Sequence, residues 1–426
     1  MKYILNILFF ILSSHVCLSQ DSVIAAKIKY YTNKINTYLD KQKALSSFYT
    51  INKRGISIYA SARDKAVNSA EFHVKWDQLE SFNQFLKTYS TTTILKFYQA
   101  KKFDPVSISL NKNIIKKDTV NKLYGLKIAI DAGHMAGDFS TGQLESKCLE
   151  FTCDNLSGSK DSIEIAEGML TYATAKLLKE KLEAQGAEVF LTRPFNGCTA
   201  FGVTFEDWLK TSYKTTIDSL YKIKEITLER KNWLLNKATK RDTFRLFFKD
   251  LELQKRAEII NNYKPDFTII IHYNVDETNT GWNKPTNKNF NMAFIGGAFM
   301  SSDLSSTRKR FEFLRLLASD DLEKSIELSS SVVQNFEKNL TVKTAEPRDA
   351  VYLIEGCLTT PKKGVYCRNL QLTRYIHSPL VYGETLYQDN INECVLLNQE
   401  TDKTKNVRVQ QVAEAYFQGI LNYTTK

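Results

Sequence analysis

Hydrophobic and polar positions follow two different periods along the first quarter of this chain. Apolar side chains in residues 21–45 recur every three or four positions, which predicts a helix. Residues 55–60 and 70–76 alternate with a period of two, which predicts strands, and residues 76–86 return to helical spacing. These elements predict a small α+β unit before about residue 115.

The pattern changes after Gly125, where short apolar runs alternate with longer amphipathic segments. Residues 126–131, 189–191 and 267–271 form short apolar runs, and residues 165–184 have the spacing of an amphipathic helix. Strands that alternate with helices are typical of an α/β domain. The chain is therefore expected to belong to the α/β class, with a mainly parallel twisted sheet flanked by helices and a small N-terminal α+β module.

The first twenty residues have the pattern of a secretory signal peptide. Lys2 supplies a positive charge, and residues 3–12 form an apolar stretch shorter than the ~20 residues of a membrane-spanning helix. Cys17 and Ser19 are small residues placed for cleavage, although a lipoprotein with its lipid on Cys17 is an alternative. We expect residues 1–19 to be removed and the protein to be periplasmic or secreted, without a transmembrane segment.

Composition and charge narrow the classes of function. The 43% hydrophobic share excludes a disordered chain, and 17 Gly with 7 Pro exclude a collagen-like one. Lys+Arg number 58 against 47 Asp+Glu, for a formal net charge of +11. Since the cations are scattered among acids and export is expected, an anionic cell envelope matches this charge better than nucleic acid does.

The cysteines predict disulfides. Of 7 cysteines, Cys17 lies in the signal, which leaves an even number for an oxidising compartment. Cys148 with Cys153, and Cys357 with Cys367, are close enough in sequence to close short loops, among many other pairings. A cysteine zinc cluster is not indicated, because no Cys-x-x-Cys pair occurs.

Candidate chemistry gathers at the ends of predicted strands. His134 ends the segment Asp131-Ala-Gly-His134, and His272 directly follows residues 267–271. Functional groups in parallel α/β sheets gather outside the carboxyl ends of the strands, and Glu167, near the start of a helix, can reach the same crevice. Two histidines and one glutamate form a catalytic zinc set with an open fourth position.

A further carboxylate follows another short apolar run. Glu384 ends residues 378–384 and is placed to take a proton from water and return it to a leaving amine. A loop carboxylate or a turn cap is the alternative interpretation of this residue.

The order and spacing of these segments resemble the zinc-dependent N-acetylmuramoyl-L-alanine amidases of the Amidase_3 type, which cut peptidoglycan. The resemblance covers about residues 125–420 and rests on four ordered segments: Lys127 to Asp138, Glu167 to Arg193, Arg256 to Asn274, and Arg368 with Pro379 to Glu384. By position it implies that His134, Glu167 and His272 bind zinc and that Glu384 is the catalytic base. It also implies hydrolysis of the bond between N-acetylmuramic acid and L-alanine.

The signal pattern, the N-terminal elements and the resemblance together predict a domain organisation. Residues 1–19 would be the signal peptide, residues 20–120 an accessory module, and residues 121–426 an amidase-like catalytic domain. Insertions would occupy about 195–255 and 283–350 of that domain.

Several alternatives stay open at this point. Glu164 is a rival to Glu167 as a ligand, and Glu145 and Glu150 are weaker rivals. The Gly-x-Glu segment that the family carries after its second histidine is replaced by residues 291–297. A non-catalytic cell-wall binder or regulator, or a zinc hydrolase of another amide, is therefore the alternative function.

The roles of two aspartates near His134 are also open. Asp131 and Asp138 are candidates either for orienting a histidine ligand or for capping a turn. Peptidoglycan is the only partner that the sequence indicates.

Overall fold

A computed structural model describes residues 21–100, 122–154 and 160–425. The predicted signal peptide lies outside the described residues. Within those ranges, no helix combines the length and the apolar character needed to cross a membrane.

Strands and helices alternate along most of the described chain. The strands are β1 (Tyr49–Asn52), β2 (Gly55–Ile58), β3 (Phe72–Lys75), β4 (Lys127–Ala132), β5 (Cys148–Asp154), β6 (Lys160–Ala166), β7 (Glu188–Leu191), β8 (Phe267–Asn274), β9 (Phe290–Ile295), β10 (Lys343–Thr344), β11 (Cys357–Thr359), β12 (Val365–Arg368) and β13 (Leu380–Tyr387).

The helices surround these strands. A π-helical turn (Phe247–Glu252) links the helix that ends at Leu246 to the helix that begins at Leu253. They are α1 (21–34), α2 (Ala62–Ala66), α3 (Leu79–Thr88), α4 (Thr91–Gln99), α5 (Phe139–Glu145), α6 (Glu167–Glu183), α7 (Phe205–Thr211), α8 (Tyr213–Lys222), α9 (Leu228–Asn236), α10 (Lys240–Leu246), α11 (Leu253–Tyr263), α12 (Thr307–Ala318), α13 (Asp321–Leu340), α14 (Val351–Gly356), α15 (Gln371–Tyr375), α16 (Ile391–Asn398) and α17 (Val407–Thr424).

The central sheet is mixed and mainly parallel, which confirms the predicted fold class. Its order is β11-β12-β9-β13-β8-β4-β7, with β10 beside β9. The strands β7, β4, β8 and β13 run parallel to one another, whereas β9 is antiparallel to β13 and β11 is antiparallel to β12.

Helices cover both faces of this sheet. On β8, Ile269 and Ile271 belong to a hydrophobic cluster that includes side chains of α6, α13 and α17. Ile270 belongs to a second cluster, with side chains of α11 and α15. A strand buried on both faces reads as a continuous apolar run, which is why periodicity identified β8 in the sequence.

The N-terminal module contains the predicted α+β elements and shares its core with the central domain. Strands β1, β2 and β3 form an antiparallel sheet. The ring of Phe311 in α12 lies 5.7 Å from that of Phe72 and 6.5 Å from that of Phe82. Lys34 is buried, and its Nζ donates to the Ser319 carbonyl at 2.7 Å and to Glu323 Oε2 at 2.9 Å.

The expected disulfide between Cys357 and Cys367 is not formed, because both residues are free thiols. Cys367 lies opposite Leu358 in the β11–β12 ladder, and Cys357 lies opposite Arg368. Neighbouring residues of a strand point to opposite faces, so the two sulfur atoms lie on different sides of the sheet. Cys148 is likewise a free thiol, and the side chain of Cys153 lies outside the description.

The shared core yields a prediction about stability. Phe311→Ala should lower the free energy of unfolding by about 3–5 kcal/mol, because it leaves a cavity between the N-terminal module and the central domain. Thermal and urea unfolding would measure the change. Val67→Ala, at a side chain that is 69% exposed, is the control and should change stability by less than about 0.5 kcal/mol. An N-terminal module that melts in a separate transition, with the main transition unmoved, would contradict the shared core.

Candidate metal centre

The ends of the central strands bring the predicted site residues to one edge of the sheet. His272 in β8 lies opposite Glu384 in β13, and the Gly133 N–H, just after β4, donates to the Ile271 carbonyl at 3.0 Å. Glu167 is the first residue of α6. The strand-end argument from the sequence therefore located these residues correctly in space.

His134, Glu167 and His272 form a compact buried cluster. One ligand atom from each residue lies within 4.8 Å of the others. Glu167 is central: its Oε2 is 3.2 Å from His134 Nε2, and its Oε1 is 3.1 Å from His272 Nδ1. Two imidazoles and a carboxylate around one point fit the donor set of a catalytic zinc ion, so the residues present could hold such a metal.

Glu145 orients His134 and is not a member of the ligand cluster. Its Oε1 is 2.8 Å from His134 Nδ1, and its Oε2 accepts from the N–H groups of Met135 and Ala136, both at 3.3 Å. This contact occupies Nδ1 and leaves Nε2 directed at Glu167, as in the carboxylate–histidine pairs of metal sites. The sequence indicated Glu145 only as a weak rival ligand, because no local pattern shows that the end of α5 folds back onto His134.

Two buried arginines hold the backbone that carries His134. Arg256 donates from Nη1 to the Ala132 carbonyl at 2.8 Å and from Nη2 to the His134 carbonyl at 2.6 Å. Arg193 donates from Nε to the Ala132 carbonyl at 3.1 Å and from Nη2 to the Gly168 carbonyl at 3.0 Å. His134 has a φ of +60°, which is uncommon for a residue with a side chain and requires support of this kind.

Neither of the two candidate aspartates contacts a histidine ring. Asp131 is buried, accepts from the Thr192 hydroxyl, and lies 3.3 Å from Nη1 of Arg256, so it reaches the His134 loop through that arginine. Asp138 caps α5, where it accepts from the Thr141 N–H at 2.7 Å. Capping is therefore the observed role of Asp138.

The other rival carboxylates lie away from the cluster. Glu164 is exposed on β6, and Glu150 on β5 accepts from the Gln143 side chain at 3.0 Å. The sequence predicted a helix over 165–184, but α6 begins at Glu167. Glu164 therefore lies in a strand and not one helical turn before Glu167.

Glu384 lines the same cavity as the three residues of the cluster. The cavity has a volume of about 360 Å³ and is lined by residues that include His134, Lys147, Glu167, His272, Asp276, Glu277, Asn279, Trp282, Tyr352, Arg368, Tyr382 and Glu384. Burial, followed by the charge of Glu167, raises the pKa of Glu384 to about 8. A carboxyl with a pKa near neutrality is suited to both accepting and donating a proton.

Tyr382 supports His272 and was missed by the sequence reasoning. Its ring stacks on the His272 ring with centroids 4.4 Å apart and planes 4° from parallel. Tyr382 precedes Glu384 by two positions on β13, so both side chains lie on one face of the strand. The alternation of side chains along β13 was the available signal. It predicts a contact with His272 only if β8 and β13 are known to be neighbours.

The two histidines have different proton affinities. Burial lowers the pKa of His134, but Glu167 and Glu145 outweigh it and raise the pKa to about 9. Burial lowers the pKa of His272 below its ordinary value, against the opposing contact with Glu167. In the metal-free protein, His134 is therefore the histidine that is protonated on both ring nitrogens near neutral pH.

Comparison with protein-family models identifies the class of hydrolase to which this fold and this site belong. The Amidase_3 model, described as N-acetylmuramoyl-L-alanine amidase, matches residues 128–422. The chain belongs to the Amidase_3 family. No curated protein sequence matches this chain significantly.

Solved structures of such amidases are similar to the chain at low sequence identity. The CwlD amidase from Clostridioides difficile, solved in complex with the GerS lipoprotein, has 18% identity and a TM-score of 0.38, over 71% of this chain and 99% of that chain. Ami1 from Mycobacterium smegmatis has 13% identity and a TM-score of 0.38, over 71% and 98%. AmiC2 of Nostoc punctiforme has 16% identity and a TM-score of 0.35, over 71% and 98%.

The packing of His272 yields a prediction about metal affinity. A Cβ on Gly133 would lie 2.3 Å from His272 Cε1, so Gly133→Ala must displace the ring. We expect the affinity for zinc to fall by about 10- to 100-fold, measured by competition with a chromophoric chelator. Gly356→Ala is the matched control, since a Cβ there meets nothing within 4 Å. Equal affinity of the two variants would show that the His272 ring position does not control metal binding.

The proton on His134 yields a prediction about pH. Metal binding at Nε2 must displace that proton, because an imidazole binds metal only through an unprotonated nitrogen. Zinc affinity should therefore rise about tenfold per pH unit between about pH 6 and 8, and level off above the His134 pKa of about 9. Glu145→Gln removes one cause of the raised pKa, so its affinity should level off at lower pH. A zinc affinity that is independent of pH over this range would refute the assignment.

Proposed function

We propose that this protein is a zinc-dependent N-acetylmuramoyl-L-alanine amidase that acts on peptidoglycan in the cell envelope. The observation that carries the proposal is the buried cluster of His134, Glu167 and His272, which shares one cavity with Glu384 in a member of an amidase family. The predicted signal peptide at residues 1–19 and the basic net charge of +11 support an envelope location.

His134, Glu167 and His272 would hold the zinc ion. When bound, zinc supplies a Lewis acid that polarises the scissile carbonyl and lowers the pKa of water to near neutrality. The remaining steps belong to side chains of this chain.

Glu384 is the proposed acid–base residue. It would take a proton from the attacking water as that water adds to the lactyl carbonyl of N-acetylmuramic acid, and would return the proton to the departing L-alanine nitrogen as the carbon–nitrogen bond breaks. The products are a free lactyl carboxylate and a peptide with a free L-alanine amine. The pKa of Glu384, raised to about 8 before metal binds, fits a group that must hold a proton between these two events.

Arg368 is the proposed partner of this carboxylate. Its guanidinium lies 4.8 Å from the centre of the Tyr352 ring and 4.9 Å from that of Phe294, so stacking holds it in the cavity wall. Its charge lowers the pKa of Glu384, in opposition to burial and Glu167. Arg368 would thereby keep part of the Glu384 population ionised and ready to accept a proton.

The test is the product of the reaction. Zinc-loaded protein incubated with purified sacculi should release peptides with a free L-alanine amine and leave glycan strands with intact N-acetylmuramic acid, both identified by mass spectrometry. Glu384→Gln should lower the rate by about 10²–10⁴-fold while zinc content is unchanged, because the variant lacks the proton acceptor.

The control is Glu164→Gln, which removes an exposed carboxylate three positions from Glu167 and should leave the rate unchanged. A near wild-type rate for Glu384→Gln would refute the mechanism. Binding of sacculi without release of peptide would favour a non-catalytic cell-wall binder, and cleavage restricted to another amide would favour a different zinc hydrolase.

A further inference from the structure

A second cavity adjoins the metal centre on the side of residues 195–255. Its volume is about 280 Å³, and it shares His134 and Lys147 with the first cavity. We call it the basic groove, because its lining includes four cationic side chains above two phenylalanines: Lys147, Arg241, Arg245, Lys249, Phe244 and Phe248.

The helical spacing of α10 and the π-helical turn builds this groove. Arg241, Arg245 and Lys249 follow one another at four-residue steps, so they project from one face. Phe244 is buried and Phe248 half-buried between the cations. The Phe248 ring lies 6.0 Å from the His134 ring, with the planes 12° apart, so the groove begins at a metal-centre histidine.

The cations of the basic groove form no direct ion pair within the described residues, although Arg245 and Lys249 lie near Asp242 and Asp250. Among the described residues, Arg241, Arg245 and Lys249 form no salt bridge, and Arg241 donates to the Ser146 hydroxyl. The Lys147 ammonium lies over the Trp282 ring, 4.7 Å from its centre.

One acid lines the groove, and two others lie beside its cations in a neighbouring cavity. Glu145 lines the groove, but that carboxylate is buried against His134 and two backbone N–H groups. Asp242 accepts from the backbone and hydroxyl of Thr239 at the start of α10, and Asp242 and Asp250 line a neighbouring cavity that Arg245 and Lys249 also line. The groove therefore presents positive charge to a ligand.

The first cavity differs from the basic groove in its charges. Asp276 and Glu277 line it, and both are paired with Lys288, at 3.3 and 2.9 Å. Asn279 and Trp282 add amide and aromatic surface. The first cavity thus carries acids beside its cations Lys147 and Arg368, whereas four cations line the basic groove with one acid, the Glu145 that is paired with His134.

We propose that the basic groove binds carboxylates of the stem peptide and thereby sets the direction in which substrate crosses the metal centre. The inference rests on the proposed function. The lactyl carboxyl of N-acetylmuramic acid is consumed in the scissile amide, so the sugar side is uncharged near the bond. A γ-linked D-glutamate at the second peptide position carries a free α-carboxylate, roughly 7 Å along an extended chain from the scissile bond. Charge complementarity directs that side of the substrate to the groove.

The test compares two ligands that differ in one charge. They are N-acetylmuramoyl tetrapeptides with either D-isoglutamate or D-isoglutamine at the second position. Binding to zinc-loaded full-length protein carrying Glu384→Gln, which prevents turnover, is measured by calorimetry. Adding Arg245→Gln and Lys249→Gln should weaken binding of the acid ligand by about 5- to 30-fold and leave the amide ligand unchanged. The control pair, Lys214→Gln and Lys222→Gln, removes the same charge from exposed positions on α8 and should change neither affinity.

The outcomes separate this inference from the proposed function. Equal losses for both ligands, no preference of the parent protein for the acid ligand, or no binding of either ligand would overturn the inference. Binding of a glycerol phosphate oligomer that is lost in the groove variant, without an acid preference among the muropeptides, would assign the groove to a phosphate polymer and would also overturn it. Product analysis with Glu384 intact reports on the amidase reaction separately, whichever ligand the groove binds.

Discussion

The site depends on the hydrogen bonds that two buried guanidinium groups donate to the carbonyls of the loop after β4. Arg193 and Arg256 both donate to Ala132, and Arg256 also holds the His134 carbonyl. Two adjacent buried cations are costly unless they are paired. Asp131 and Glu252 supply the opposite charge to Arg256, with Glu252 Oε1 at 2.9 Å from its Nε. The left-handed backbone of His134 is therefore held by a charge network within the domain core, not by the loop itself.

A similar balance governs the site above that loop. Glu145, Glu167 and Glu384 all lie close to His134 or His272, and one protonated imidazole does not compensate three carboxylates in a buried setting. The protein responds by raising the pKa of His134 to about 9 and that of Glu384 to about 8. A divalent cation between the histidines would remove the need for the extra proton on His134. The electrostatics of the site thus favour the same ligand as its donor set does.

The sequence predicted the parts of this arrangement that depend on local pattern. The strands β4, β8 and β13 are apolar runs with both faces buried, and parallel strands bring His134 and His272 to one edge in any register that pairs them. The start of α6 was placed two residues early, because alternation in β6 was taken for helical spacing. The prediction of a Cys357–Cys367 disulfide was wrong, because the register of the two strands decides on which face each side chain lies. Glu145 was missed as a positioning residue because its contact depends on how α5 folds back.

The segment between Arg193 and Arg256 connects the basic groove to the loop that carries His134. It begins and ends at the arginines that hold the His134 loop, and it contributes Phe248 to one face of the His134 ring. It also carries three of the four cations of the basic groove, Arg241, Arg245 and Lys249. Between those ends, Asn196 donates to the Gly137 carbonyl and Arg241 donates to the Ser146 hydroxyl, which adds contacts with the chain that follows His134. The proposed ligand-binding face is therefore held beside His134, as alignment of the scissile bond through a carboxylate some residues away would require.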